Sequence, residues 1–308
     1  MNRDIEMLYA RLGKRGYQGR VVSIHHLQDL HQDIEGRFAQ GAFDQDFYRE
    51  RLTFFEFEPP EDLAAALSII VVAVPRPQHR VVFHSNGKEL ALIIPPTYVG
   101  YTEISRQVAG LIAEWLAPEG YRVASTMLPL KTLATRSGLS EYGRNNISYV
   151  PGMGSFYQLV AVYSDLPCLE DEWGDPRMLA RCQTCKACMK QCPTEAISSE
   201  RFLLHAERCI VFHNEKPGEI RFPSWIEPAA HNCLIGCMLC QKYCPEDKVF
   251  LDWVEDAEEF SDQETSLLLR GVTPDQLPKV TTEKLEHLEL LDALDQMPRK
   301  LGIFLRKE

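Results

Sequence analysis

Nine of the chain's ten cysteines fall between Cys182 and Cys244, and their spacing constrains the fold more tightly than any other feature. The first run reads Cys182-x2-Cys185-x2-Cys188-x3-Cys192-Pro193. The second reads Cys233-x3-Cys237-x2-Cys240-x3-Cys244-Pro245, and Cys209 lies between them. Three cysteines two residues apart curl their backbone around one cubane, while the fourth, ahead of a proline, departs to ligate the other cluster of a pair. The pattern predicts a two-cluster, bacterial ferredoxin-like segment and makes electron transfer the first function to consider. Cys182, Cys185, Cys188 and Cys244 are assigned to cluster 1. Cys192, Cys237 and Cys240 are assigned to cluster 2, with either Cys209 or Cys233 as its fourth ligand. Cys233 gives a curl one residue longer than the ferredoxin spacing. Cys209 is remote in sequence, as when a loop folds back on a cluster, and is preferred.

Two other uses of these cysteines compete. A zinc ribbon also employs C-x2-C pairs but has no need of two C-x3-C-P endings. A disulfide framework requires an oxidising compartment, whereas the start Met1-Asn2-Arg3-Asp4 leads into no apolar signal segment, so a cytoplasmic location with reduced thiols is expected. Cys168, outside the set, reads as a small buried hydrophobe.

A chain of 308 residues can hold one large or two modest domains. No apolar run approaches the roughly 20 residues of a membrane helix. The net charge of −11 is uneven: from Leu251 to Glu308 there are 14 acidic and 7 basic residues. Phosphate binding rests on Lys and Arg, so extensive nucleic-acid binding is not expected. A small-molecule or nucleoside substrate is compatible with this charge.

The N-terminal part reads as mixed α/β. The continuous apolar run Ser68 to Val74, stopped by Pro75, predicts a buried central strand. Asn86-Gly87 between Arg80–His84 and Glu89–Ile94 predicts a tight hairpin. Ile104, Val108, Leu111, Ile112, Trp115 and Leu116 mark one face of a helix ended by Pro118, and Tyr157 to Tyr163 read as another strand. After Pro245 the pattern is helical: Ser261 with Glu264 three residues on forms a capping box, and Gly271 is a stop. The expected fold class is α+β, with an open-sheet α/β sandwich over residues 1–165, a double-cluster domain over 166–250 and an acidic helical tail over 251–308. There is no G-x-G-x-x-G after a strand and no Walker sequence.

Ser137-Gly138-Leu139-Ser140-Glu141-Tyr142-Gly143-Arg144-Asn145-Asn146, followed by Gly154-Ser155-Phe156-Tyr157, by Tyr163-Ser164-Asp165-Leu166 and then by the cysteine runs, resembles the cobalamin-dependent iron–sulfur reductases. These are the epoxyqueuosine reductases and the reductive dehalogenases. The resemblance covers roughly residues 60 to 250 and includes Arg208-Cys209-Ile210, which is similar to the family's lone cysteine between the runs and so strengthens Cys209. It implies a cobalamin held over the N-terminal core, with the nearer cluster delivering electrons to cobalt. It also implies that Gly138, Leu139, Gly143, Arg144, Asn145, Gly152, Gly154, Ser155 and Phe156 line the corrinoid site. A flat macrocycle needs close backbone approach, although each glycine can equally serve only its own turn.

The chain departs from the epoxyqueuosine reductases where their aspartate acid stands. An ungapped count places Ala124-Ser125-Thr126-Met127 there, without a carboxylate. A proton donor is still needed near cobalt, and Tyr98, Tyr101, Lys131 and Tyr142 are the candidates, because burial and neighbouring charge tune such groups. The expectation is an iron–sulfur reductase with two [4Fe–4S] clusters, a cobalamin, and an external donor such as ferredoxin or flavodoxin. The alternative is an activator that reduces a partner's corrinoid without substrate chemistry of its own. A redox sensor using Cys168 or Cys233 lacks an activating motif.

Overall fold

The computed structural model describes residues 3–305. Along the chain its strands are β1 (Gln18–Ser23), β2 (Ser68–Pro75), β3 (Gln78–Ser85), β4 (Lys88–Ile94), β5 (Val123–Ser125), β6 (Glu141–Tyr142), β7 (Ser148–Tyr149), β8 (Tyr157–Ser164) and β9 (Val254–Phe260). The residues group into two compact units. One holds the chain up to Pro75, Thr102–Lys186 and Arg201–Leu203; the other holds Arg76–Tyr101, Ala187–Glu200 and the chain from Leu204 on.

The first unit is built on an antiparallel sheet in the order β1-β2-β8-β5. Residues alternate between the faces of a strand, and in β2 both faces are apolar. Ile69, Val71 and Ala73 pack with Leu27 and Leu30 of the helix Leu27–Ala39 and with Leu133 and Ala134 of the helix Leu130–Arg136. Ile70, Val72 and Val74 pack with Ile5, Leu8 and Leu12 of the helix Arg3–Lys14 and with Val108, Ile112 and Leu116 of the helix Tyr101–Leu116. Each such side chain removed from water contributes about 1.5–3 kcal/mol. The result is a helix–sheet–helix sandwich whose continuous apolar strand lies at the centre of the sheet.

The second unit is built on a sheet in the order β4-β3-β9. Asn86 (φ 53°) and Gly87 (φ 73°) make the tight β3–β4 turn. Strand β9 joins the other edge of β3 in parallel, which the sequence reading of a wholly helical tail did not foresee. The last three residues of that tail, 306–308, lie outside the described residues. Consequently the division differs from three consecutive segments 1–165, 166–250 and 251–308: the hairpin of residues 78–94 groups with the C-terminal residues that supply β9. Phe83 and Phe260 stack at 5.0 Å within a core shared with Leu268, Leu285, Leu288, Leu294, Met297 and Leu301. The helix Asp262–Arg270 starts with the expected Ser261/Glu264 capping box and stops at Gly271 in the left-handed conformation (φ 68°).

Candidate iron–sulfur site and glycine-rich segment

Cys182 and Cys185 fall in the first unit, and the remaining cysteines of the two runs fall in the second. Within the second unit, Cys209 caps the short helix Ile210–Asn214, and the Phe212 amide donates to its carbonyl at 3.0 Å. Burial first, and then charge on Cys237 and Cys192, push the Cys209 thiol up to about 12, against the lowering effect of the Val211 and Phe212 amides. The Cys237 thiol is likewise raised, first by burial, and it senses Cys192; amide donation from Asn232 and Leu239 works the other way. Cys192 Sγ accepts from the Ala196 amide at 3.3 Å. Thiols so buried become thiolates only when a metal compensates their charge. Amide groups aimed at the sulfurs are the contacts that iron–sulfur clusters use. The donor set fits a cluster. Among the described residues, no three His, Cys, Asp or Glu side chains converge on a point that would hold a single metal ion.

Cys233 behaves differently from Cys209. It is 1% exposed, its thiol is raised chiefly by burial, and Cys237 is the one cysteine whose charge acts on it. Its S–H is spent on Asn232 Oδ1 at 3.2 Å. Asn232 also donates to Cys237 Sγ at 3.2 Å and accepts the Met238 amide at 2.9 Å, tying the start of the second run into a knot. Nothing in the spacing of cysteines points to Asn232, and sequence reasoning missed it. Cys240 lies one turn on, in the helix Leu239–Lys242. Outside both runs, Cys168 is buried in the first unit's core with its thiol raised to about 11, as its apolar surroundings require.

The glycine-rich segment lies in the first unit. Gly143 turns the chain between β6 and β7: its amide donates to Ile147 O at 2.7 Å, and Asn145 Nδ2 donates to Tyr149 Oη at 2.9 Å. A Cβ at Gly143 would lie 2.5 Å from both Asn145 Oδ1 and Tyr149 Cε2, so this glycine is required by its own turn. Gly138 (φ 71°) follows the helix Leu130–Arg136, and Gly152 and Gly154 have φ of 78° and 58°. Leu139 is core, while Ser155 and Phe156 are buried just ahead of β8. Two polar atoms of the segment, Ser140 Oγ and Arg144 Nε, are buried without a protein partner.

This segment is stitched to the first cysteine run. The Tyr142 amide donates to Arg177 O at 2.8 Å, Leu179 N to Tyr142 O at 2.9 Å and Cys182 N to Leu179 O at 2.8 Å. The Arg144 guanidinium donates to Cys182 O. Tyr142 is buried, with its hydroxyl 3.3 Å from Thr132 Oγ1 and its pKa raised chiefly by burial. Lys131 Nζ donates to Asn146 O at 3.4 Å. Of the proton-donor candidates, the structure therefore brings Lys131 and Tyr142 to this segment. Tyr98 belongs to the second unit: it donates to Glu215 Oε1 at 2.6 Å, and its ring covers Gly236, where a Cβ would meet it at 2.9 Å. Burial, then Glu215, raises the Tyr98 pKa well above its ordinary value. Tyr101, also of the second unit, is 41% exposed. The stretch Ala124–Met127 is paired with the backbone of Glu56, whose amide donates to Met127 O at 2.9 Å. Their separation along the chain hides that pairing from sequence reading.

These features define a double-cluster iron–sulfur protein on a mixed α/β scaffold. Residues 181–247 match the family described as the 4Fe-4S double cluster binding domain. The epoxyqueuosine reductase of Synechococcus sp. (strain CC9605) is 32% identical over 47% of this chain and 46% of its own length. The epoxyqueuosine reductase of Streptococcus thermophilus superposes with a TM-score of 0.66 at 16% identity, covering 99% of this chain and 81% of that one. A further epoxyqueuosine reductase, solved with an epoxyqueuosine-modified tRNA-Tyr stem loop, gives a TM-score of 0.66 at 20% identity over 98% of this chain and 80% of that one. This chain is similar in sequence to the epoxyqueuosine reductases over about half of its length, shares their fold and contains a match to the 4Fe-4S double cluster binding domain. It spans about half the length of the curated relatives it matches.

Proposed function

We propose that the chain is a reductase of the epoxyqueuosine reductase type, in which two [4Fe–4S] clusters relay single electrons to a corrinoid held by the α/β unit. The observation that carries this reading is the attachment of the 138–149 segment to the first cysteine run through Tyr142, Leu179, Cys182 and Arg144. It fixes a turn-rich segment with spare hydrogen-bonding capacity beside the loop that delivers electrons. Ser140 Oγ and Arg144 Nε are the groups that would bind a corrinoid's amide side chains. When bound, the corrinoid would supply a low-potential cobalt centre for a reductive step. Tyr142 and Lys131 would hold the proton, in place of the aspartate that the resemblance leads one to expect in the stretch Ala124–Met127.

In this reading Cys182, Cys185, Cys188 and Cys244 bind cluster 1, and Cys192, Cys209, Cys237 and Cys240 bind cluster 2. Cys209 is preferred to Cys233 because both Cys192 and Cys237 act on it, whereas Cys233 donates its proton to Asn232. Epoxyqueuosine is the first substrate to test. The absence of a carboxylate from Ala124 to Met127 favours the second reading, an activator that reduces a partner's corrinoid.

Anaerobic reconstitution followed by titration with hydroxocobalamin separates the two. The reductase reading expects a stoichiometric base-off Co(II) signal by EPR and turnover of epoxyqueuosine. A protein that binds no corrinoid sinks it, and binding without turnover supports the activator. Iron counting on Cys209→Ser and Cys233→Ser checks the ligand choice: loss of iron from the second variant alone would reverse it.

A further inference from the structure

Lysine is rarely buried without a partner, yet Lys300 of the helix Met297–Leu305 is 1% exposed. Its helix neighbours Met297 and Leu301 belong to the second unit's apolar core, and its Nζ has no hydrogen-bond partner among the described residues. An orphaned buried ammonium costs stability, so its presence in a core calls for a use. Burial lowers the Lys300 pKa to about 8; Glu215 opposes this more than Asp295 does, while Arg299 acts with burial. Glu215 closes the short helix Ile210–Asn214, which begins at Cys209. Arg299, next to Lys300, grips the chain on both sides of Glu215, donating to Asn214 O at 3.2 Å and to Lys216 O at 2.7 Å. The Tyr98 hydroxyl donates to Glu215 Oε1 at 2.6 Å and stands over Gly236, the residue before Cys237. Asn214 Nδ2 donates to Gly236 O at 3.1 Å, which ties the end of the Cys209 helix to the same loop. After burial and Glu215, the charges that act on Tyr98 are those of Cys209 and Cys233. Lys300, Glu215 and Tyr98 thus form a line, all within the second unit, that ends at the sulfurs.

We infer that Lys300 is a positioning residue for cluster 2: through Glu215 and Tyr98, its buried positive charge helps set the potential at which that cluster accepts an electron. The inference rests on the reading that Cys192, Cys237, Cys240 and either Cys209 or Cys233 hold a [4Fe–4S] cluster. It does not depend on which of the last two is the ligand, because both act on Tyr98. A cluster reduced by an external donor gains one electron and one negative charge, the donor loses one electron, and no atom changes hands. A nearby buried cation favours the reduced form and a nearby carboxylate disfavours it, the more so where water is excluded. Lys300 and Glu215 therefore pull the potential in opposite directions, and its value reflects their balance. A pair that served the fold alone would behave otherwise. Removing either partner would loosen the same core and admit water, and the potential would move one way in both cases.

The test is an EPR-monitored redox titration of the reconstituted full chain, with a europium(II) chelate as reductant, at a pH well below the Lys300 value of about 8. Lys300→Met keeps an unbranched side chain and drops the charge. It is expected to lower one of the two cluster midpoints by about 59 mV, a tenfold change in the reduction equilibrium, and to leave the other in place. Glu215→Gln is expected to raise the same midpoint, and it carries the test alone should Lys300→Met lose iron. Midpoints that stay put overturn the inference, as do midpoints that move the same way in both variants or equally in both clusters. Loss of iron from both variants assigns the pair to the fold and overturns it too. A parent chain that assembles no clusters removes the cluster reading and the inference with it, whereas a loaded parent with unmoved variants removes the inference alone. The titration requires no corrinoid, so failure to bind cobalamin would remove the proposed function and leave the tuning of cluster 2 standing.

Discussion

The two sheets of this protein are stabilised by different means. In the first unit β2 is covered on both faces, and from Ser68 to Val74 every residue is buried. In the second unit β9 carries four acidic residues among seven, and Phe260 alone of its side chains is buried. A strand of the first kind is held by area removed from water along its length. One of the second kind is held at a single apolar anchor, with polar contacts setting its register. The contrast predicts that damage to β2 is spread over many positions, whereas damage to β9 concentrates at one. Phe260→Ala, which removes the ring stacked on Phe83, should cost about 3–5 kcal/mol, as large aromatic truncations in cores do. Ile70→Ala in β2 should cost about 2–5 kcal/mol. Denaturant midpoints of the two variants check this, and a Phe260→Ala chain as stable as the parent would erase the distinction.

A smaller effect is expected at Glu264, whose carboxylate secures the helix that follows β9. Its oxygens accept from the Ser261 amide at 2.9 Å, from Thr281 Oγ1 at 3.0 Å and from Lys284 Nζ at 2.9 Å. Burial alone would raise its pKa, but hydrogen bonds from Lys284, Ser261 and Thr281 outweigh burial and hold the carboxyl below its ordinary value. A depressed folded-state pKa means stability present above the unfolded value, near 4.3, and lost as pH falls through the folded one. Glu264→Gln should therefore lower stability by about 2 kcal/mol at neutral pH, with the gap to the parent closing in acid. Melting temperatures of the two proteins from pH 7 to pH 3 test the sign. A gap that widened in acid would mean that Glu264 is neutral in the folded state.

The same contrast explains how much the sequence revealed. Strand β2 was legible because an unbroken apolar run has few places to go but the middle of a sheet, and the β3–β4 hairpin because Asn86-Gly87 supplies its own turn. The capping box at Ser261 was legible because it is local. Strand β9 was not, since Glu, Asp and Ala have little strand preference and its conformation is imposed by pairing with β3, far away in the chain. The cysteine spacing pointed to a double-cluster domain because ligand geometry is written into local intervals. It pointed neither to Asn232, whose role depends on a fold-back onto Cys237, nor to Glu56, which reaches Met127 across the fold. Nor did it show that the ring of Tyr98, named as a proton-donor candidate, covers Gly236. Local chemistry is readable in this chain, and long-range pairing of polar residues is not.

The smallest effect is expected where β9 meets solvent. Arg80 donates to both oxygens of Asp256, at 2.5 and 2.9 Å, and the guanidinium holds that carboxyl below its ordinary value. Both side chains are exposed, so water and salt screen the pair, and holding two side chains in one geometry offsets part of what the contact contributes. Arg80→Ala should leave the unfolding midpoint nearly unmoved in high salt and lower it slightly in low salt. Its effect should also be weaker in acid, because the depressed Asp256 pKa confines the pair's contribution to pH above that value. If β9 owed its place to its charged edge and not to Phe260, the order would invert: Arg80→Ala would unfold the strand, and hydrogen exchange at its amides would accelerate more than in Phe260→Ala. Exchange rates at the β9 amides in the two variants, measured at one ionic strength, decide between a strand held by its anchor and one held by its ion pairs.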